Sequence, residues 1–130
     1  MGLSGSVMHF NRLSDDQVEL NIQPDDSQKL QRFVQAAIER DSVLPLSTYA
    51  GRGMEKADAE KLLEHLSLNT QDGHVTVTNT QLRQLHDVVE YLSLSKTYIE
   101  EHLDQAEYTK MNEALGRIHN QAFGIEEGPY

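Results

Sequence analysis

Apolar residues recur in this chain at the 3.6-residue spacing of a helix in several places and at the two-residue spacing of a strand in few. That ratio limits it to helices packed around one small sheet. Leu30, Phe33, Val34, Ala37 and Ile38 form one stripe of a helix over about 25–41, which Pro24-Asp25-Asp26-Ser27 opens with capping oxygens and first-turn negative charge. Leu62, Leu63 and Leu66 mark a second helix over about 54–66. A third, over about 80–92, carries Leu82, Leu85, Val88, Val89 and Leu92 behind Thr78-Asn79-Thr80-Gln81. Those four residues match a capping box, in which hydroxyl and amide side chains each satisfy an orphan backbone donor. A fourth helix is expected over about 96–121, with Thr97-Tyr98-Ile99-Glu100 as its capping box. Ser93-Leu94-Ser95 either interrupts the chain before it or is absorbed into one continuous helix. Within it Ile99, Leu103 and Ala106 share a face, whereas Met111, Leu115 and Ile118 share another about 100° away. Two different neighbours, or a bend near Thr109, would explain the offset.

Strand signals are confined to two places. Asp72-Gly73 is a turn signal, and the β-branched run His74-Val75-Thr76-Val77-Thr78 reads as a strand over 74–78. Val18, Leu20 and Ile22 alternate, and with Val7 to Leu13 they predict a hairpin within about 7–22, beside Val75. Ser14-Asp15-Asp16-Gln17 also matches a capping box, but a helix there would point those three apolar residues to divergent faces. Asp41 to Gly53 reads as a long connection, containing Pro45 and the Gly51-Arg52-Gly53 triplet. The expected fold class is α+β, mainly α: four helices with a small antiparallel β element. One globular domain is expected over 1–130, with flexible ends at about 1–6 and 124–130.

Composition narrows function by exclusion. The chain carries 21 Asp and Glu against 11 Lys and Arg, a formal net charge of −10, with no basic run. Phosphate backbones are held through Lys and Arg, so this balance argues against direct nucleic-acid binding and towards a basic protein surface. The absence of cysteine removes disulfides, zinc–thiolate sites and thiol catalysis, and permits a reducing compartment. No stretch has the length or apolarity of a membrane span, and the first residues lack the charged and apolar regions of a signal peptide. A cytoplasmic location is therefore expected. Met1-Gly2-Leu3-Ser4-Gly5-Ser6 matches the N-myristoylation pattern, although the same residues suit a flexible leader and no polybasic patch supports an anchor.

Motifs for defined chemistry are missing: the sequence holds no Walker A loop, G-x-S-x-G elbow, H-E-x-x-H pair, or Glu three residues before a His. Leu68 to Asn79 has the outline of an EF-hand loop, yet Leu68 stands where the first carboxylate belongs, Thr70 at the third-position ligand and Asn79 where a bidentate Glu should close the shell, leaving Asp72 as the one anionic ligand. Neither a metal, a cofactor nor a catalytic residue is expected. Six histidines raise the question of a metal site or a pH switch, because Glu64-His65, His86-Asp87 and Glu101-His102 pair an imidazole with an acid. Neighbours in a helical sequence do not face each other, so these doublets are not read as ligand pairs. His65 and His86 border apolar stripes on helices that should be neighbours.

The acids are more suggestive. Glu100, Asp104 and Glu107 fall at i, i+4 and i+7 of the expected fourth helix, where like-charge repulsion makes a shared face unfavourable for stability alone. Glu60 and Glu64 repeat the theme on the second helix, with Glu55 and Asp58 just before them and Lys56, Lys96 and Lys110 as partial offset. Tyr91 and Tyr98, seven apart, suit either aromatic anchors of a docking surface or core positions. The expected function is a small acidic protein-binding module of the inhibitor, immunity or antitoxin type, presenting a carboxylate-rich helical face to a basic protein surface. The alternatives are an adaptor or assembly subunit packing through an apolar helix face, as a homodimer, and a small enzyme or metal-binding protein using His and carboxylates.

Overall fold

In a computed structural model of the chain, which describes residues 8–49 and 54–124, the first described elements are strands. Strands β1 (Met8–Ser14) and β2 (Gln17–Ile22) form an antiparallel hairpin, and β3 (His74–Thr78) pairs antiparallel with the other edge of β2. The sheet order is β1-β2-β3. Met8 lies opposite Ile22 and Phe10 opposite Leu20, while Val18 and Leu20 lie opposite Val77 and Val75. This register turns the apolar set to the helices and leaves His9, Asn11, Glu19, Asn21, His74 and Thr76 on the outer, polar face.

Ser14-Asp15-Asp16-Gln17 forms the hairpin turn and not a helix start. Asn79 holds it: its side-chain amide donates to Asp15 O at 2.8 Å and its backbone N–H to Asp16 O at 3.1 Å. A register shift between Arg12 and Ser14 leaves Leu13 exposed. Arg12 turns inward at the sheet edge, donating to Asn79 Oδ1 at 3.0 Å and to Ala122 O at 2.9 Å. A cation at the end of the last helix satisfies a free carbonyl and complements the helix dipole. At the Asp72-Gly73 turn, Gln71 and His74 exchange backbone hydrogen bonds of 2.8 Å. Asp72 and Gly73 have φ of 51° and 82°, the paired positive values of a type I′ turn, for which Asp-Gly is well suited.

The helices are α1 (Pro24–Arg40), α2 (Leu46–Tyr49), α3 (Lys56–Asn69), α4 (Asn79–Tyr91), α5 (Lys96–His102) and α6 (Gln105–Ala122), with a 3₁₀ turn at Leu92–Leu94. The α+β, mainly α class therefore holds, with more breaks than the apolar spacing suggests. Helix α2 lies in the segment read as connection, started by Pro45 and by Leu46 N–H donating to Asp41 Oδ1 at 2.9 Å. On α1 the residue before the helix is Gln23, which makes no side-chain cap, and Ser27 is buried inside the first turns. Thr78 and Gln81 form the expected capping box of α4, at 3.1 and 2.9 Å.

The helix expected over 96–121 is two helices. Asp104 takes extended backbone angles (φ −80°, ψ 112°), and its carboxylate accepts the Glu107 N–H at 2.9 Å. Aspartate is among the best N-cap residues, so what reads as mid-helix is a helix start. The break lies at Leu103–Asp104, not near Thr109, and it explains the offset stripes: Ile99 and Leu103 belong to one helix and its end, Met111, Leu115 and Ile118 to the next. Ala106 is exposed. The Thr97 capping box is not formed, because Ser95 already precedes the first helical residue and its N–H closes the 3₁₀ turn onto Leu92 O at 2.9 Å.

One apolar cluster, running from Met8 through Phe33, Leu66, Val75 and Leu85 to Ile118, takes residues from all three strands and all six helices. Phe33 meets Tyr108 edge to face at 5.6 Å, joining α1 to α6. No helix among the described residues is long and apolar enough to cross a membrane. The N-myristoylation match at Gly2, the Gly51-Arg52-Gly53 triplet and residues 125–130 of the tail lie outside the described residues.

Candidate functional site

Division of the last helix separates the acidic triad. Glu100 is exposed on α5, Asp104 is occupied as the cap of α6, and Glu107 meets Lys29 of α1 at 2.8 Å. That hydrogen bond raises the Lys29 pKa, with Glu107 and Asp26 adding attraction. A single helical face carrying Glu100, Asp104 and Glu107 does not exist, because the chain leaves helical geometry between the first and the second. Tyr91 is likewise no surface anchor: it is 0 % exposed and donates its hydroxyl to Leu44 O, and burial pushes its pKa up.

Glu60 and Glu64 are placed differently. Along α3, Glu60, Leu63, Glu64 and Ser67 follow at i, i+3, i+4 and i+7, so they share one flank. That flank faces Gln35 and Ile38 of α1 across a groove of about 420 Å³, closed at one end by Leu68. Helix α3 buries Ala59, Leu62 and Leu66 in the core, which leaves Leu63 half-buried in the groove and Leu68 69 % exposed at its end. Neither Glu60 nor Glu64 takes part in an ion pair among the described residues. Glu39, one turn beyond Gln35 on α1, is tied to it at 3.2 Å. The neighbouring Asp58 has a structural task, accepting the Glu55 N–H at 2.9 Å where α3 begins. The result is an apolar floor with an acidic rim.

The histidines divide by role. His65 ties α3 to the sheet, its Nε2 2.7 Å from Thr76 O and therefore the protonated nitrogen. His86 stacks on His119 of α6 with ring centroids 4.4 Å apart and planes 17° apart. Its Nδ1 lies 3.3 Å from Asp87 Oδ1 and its Nε2 3.5 Å from Glu90 Oε1. The first contact corrects the expectation that His86 and Asp87, as sequence neighbours, stay apart. His119 is 8 % exposed, and its Nε2 has no hydrogen-bond partner among the described residues. Burial lowers its pKa, and His86 adds to the lowering while a hydrogen bond to Asn120 opposes it. Sequence spacing holds a trace of this residue, since His119 continues the Leu115 and Ile118 stripe. Among the described residues, no three His, Asp or Glu side chains converge as a metal site.

Two further clefts are polar. On the outer sheet face, His9, Asn21 and His74 line up across the three strands beside Asp72 and Gly73, and His74 Nδ1 lies 2.6 Å from Asn21 Oδ1. Between the end of α1 and α5 a wider cleft of about 610 Å³ is lined in part by Arg40, Ser95, Lys96, Tyr98 and His102. Tyr98 is half-buried there, with the Arg40 guanidinium 4.9 Å from its ring centroid and the His102 ring at 4.7 Å. Burial, together with Glu39, pushes the Tyr98 pKa up. No family model, curated protein or solved structure matches the chain.

Proposed function

We propose that this chain is a protein-binding module whose α1–α3 groove seats a basic segment of a partner protein, an amphipathic stretch with apolar residues at its centre and Lys or Arg at its margins. The observation that carries this reading is the pairing of an apolar floor, Ile38 and Leu63, and the exposed Leu68 beside it with Glu60 and Glu64, which have no cation of their own among the described residues. Apolar contact supplies affinity in such a groove, and the acidic rim selects a cationic partner and speeds its approach. The chain-wide charge of −10 adds long-range attraction of the same sign. A small acidic protein that covers a basic working surface in the cytoplasm, as an inhibitor, immunity protein or antitoxin does, is the role this arrangement suits. The homodimer alternative draws less support, since the large exposed apolar residues Leu13, Val43, Leu68 and Leu94 sit on four different segments.

Panning a random peptide library against the immobilised full chain tests the reading. Selected peptides should combine Lys or Arg with Leu, Phe or Trp and should bind a Glu60→Gln/Glu64→Gln variant about tenfold more weakly. Recovery of neutral or acidic sequences, or equal binding to the variant, would defeat it.

A further inference from the structure

A second cleft lies between the end of α1 and α5. Arg40 is the last residue of α1, half-buried, and its guanidinium has no carboxylate partner among the described residues. Of the acids beside it in sequence, Glu39 accepts from Gln35 at 3.2 Å while its charge also reaches Tyr98 in this cleft, and Asp41 accepts the Leu46 N–H at 2.9 Å. Its Nε is buried without a hydrogen-bond partner among the described residues, and Nη2 reaches Ser95 Oγ at a long 3.3 Å. A guanidinium has five N–H donors in a rigid fork, and of these Nε–H is the one left buried without a partner among the described residues, which is unfavourable. Around it the same cleft gathers the Lys96 ammonium, the His102 imidazole and the Ser95 and Thr97 hydroxyls.

We infer that the cleft between the end of α1 and α5 binds a small phosphomonoester, with Arg40 and Lys96 holding the phosphate and Ser95 and Thr97 completing its hydrogen bonds. A dianionic tetrahedral group offers three acceptor oxygens, enough to use an Arg fork, an ammonium and hydroxyls together, which a planar carboxylate does not. The cleft volume of about 610 Å³ is of the size that takes a small organic ligand. Tyr98 is covered by Arg40 and His102, so it walls the site and is not a stacking platform. Glu101, the acid on the lining, is exposed and opposes binding from the rim.

The test is an NMR titration of the isotope-labelled full chain with phenyl phosphate at constant ionic strength, following the Arg40 Nε–H and the Ser95 to Tyr98 amides. Saturable shifts confined to this cleft are expected, with inorganic phosphate moving the same signals and benzoate failing to saturate them. Lys96→Gln should weaken phenyl phosphate binding about tenfold, and Glu101→Gln should tighten it about threefold, both being exposed positions whose exchange leaves the fold intact. Linear unsaturable shifts, saturation by benzoate, or affinity unchanged in both variants would overturn the assignment. Saturation by a phosphopeptide or by phosphatidic acid vesicles, but not by phenyl phosphate, would overturn the small-ligand assignment.

Discussion

Asp104 shows how one side chain can redirect a reading of the whole C-terminal third. Read as the middle of a helix it joins Glu100 and Glu107 in an acidic face; as observed it ends that face by capping α6. The signal lay in the sequence, since Asp104-Gln105-Ala106-Glu107 has an N-cap residue followed three positions later by Glu, but it competed with an equally good pattern at Thr97. The two roles separate by mutation. Asp104→Ala should cost about 1 kcal/mol in urea unfolding, as loss of an N-cap does, whereas Glu100→Ala should stay within about 0.5 kcal/mol. Equal effects would contradict the break. Tyr108 makes a second residue-scale case, because its hydroxyl donates to Val89 O at 2.5 Å in a buried setting and its pKa is strongly raised by burial, with Glu90 adding to the rise. Tyr108→Phe removes that donor and nothing else of size. A loss of about 1 kcal/mol is expected from the same denaturation measurement.

Between elements, legibility follows the range of the forces involved. The stripes of α1 and α4, the capping box at Thr78 and the Asp72-Gly73 turn are decided by neighbours a few residues apart, and all are visible in the sequence. The N-terminal hairpin is visible through alternation. Its turn is not, since Ser14 to Gln17 is fixed by Asn79 from the far side of the chain. The His86–His119 stack is hidden for the same reason: α4 and α6 meet only in the folded molecule. That stack has a consequence for acid stability. With its pKa lowered by burial, His119 takes up a proton more readily in the unfolded chain, whose histidine titrates near 6.5. As the pH falls through about 6.5, the unfolded state binds the extra proton and folding stability declines, until the lowered native value is also passed. Facing the pair are Asp87 and Glu90 on α4, with Arg83 adding to the lowering. Comparing urea midpoints at pH 8 and pH 5.5 should show a smaller loss in His119→Leu than in the unaltered chain. An identical loss in both would exclude His119 as the source.

On the scale of the molecule, composition correctly signals acid in excess but not where the excess is left unpaired. Glu107 is paired with Lys29 and Asp104 with a helix end, whereas Glu60 and Glu64 have no ion-pair partner among the described residues and lie beside exposed apolar surface. No sequence pattern separates these cases, because the distinction depends on which helices pack together; α1 beside α3 makes the groove, and the same glutamates on a solitary helix would be ordinary solvated side chains. The tyrosines fail as anchors for a similar reason: Tyr91 points into the core, and Tyr98 belongs to the cleft at Arg40. On the proposed reading, association with a basic segment weakens with salt without vanishing, since the screening length shortens to about 3 Å at 1 M while apolar contact persists.

The most direct measurement is calorimetric titration of the full chain with a Lys/Leu amphipathic peptide recovered by panning, at low and high salt, against the unaltered protein and the Glu60→Gln/Glu64→Gln and Leu63→Ser variants. Expected are binding that weakens about tenfold in the glutamate variant, a reduced salt dependence in that variant, and a comparable loss in Leu63→Ser with salt dependence retained. Equal affinity for all three proteins, or binding indifferent to salt, would contradict an acid-rimmed docking groove.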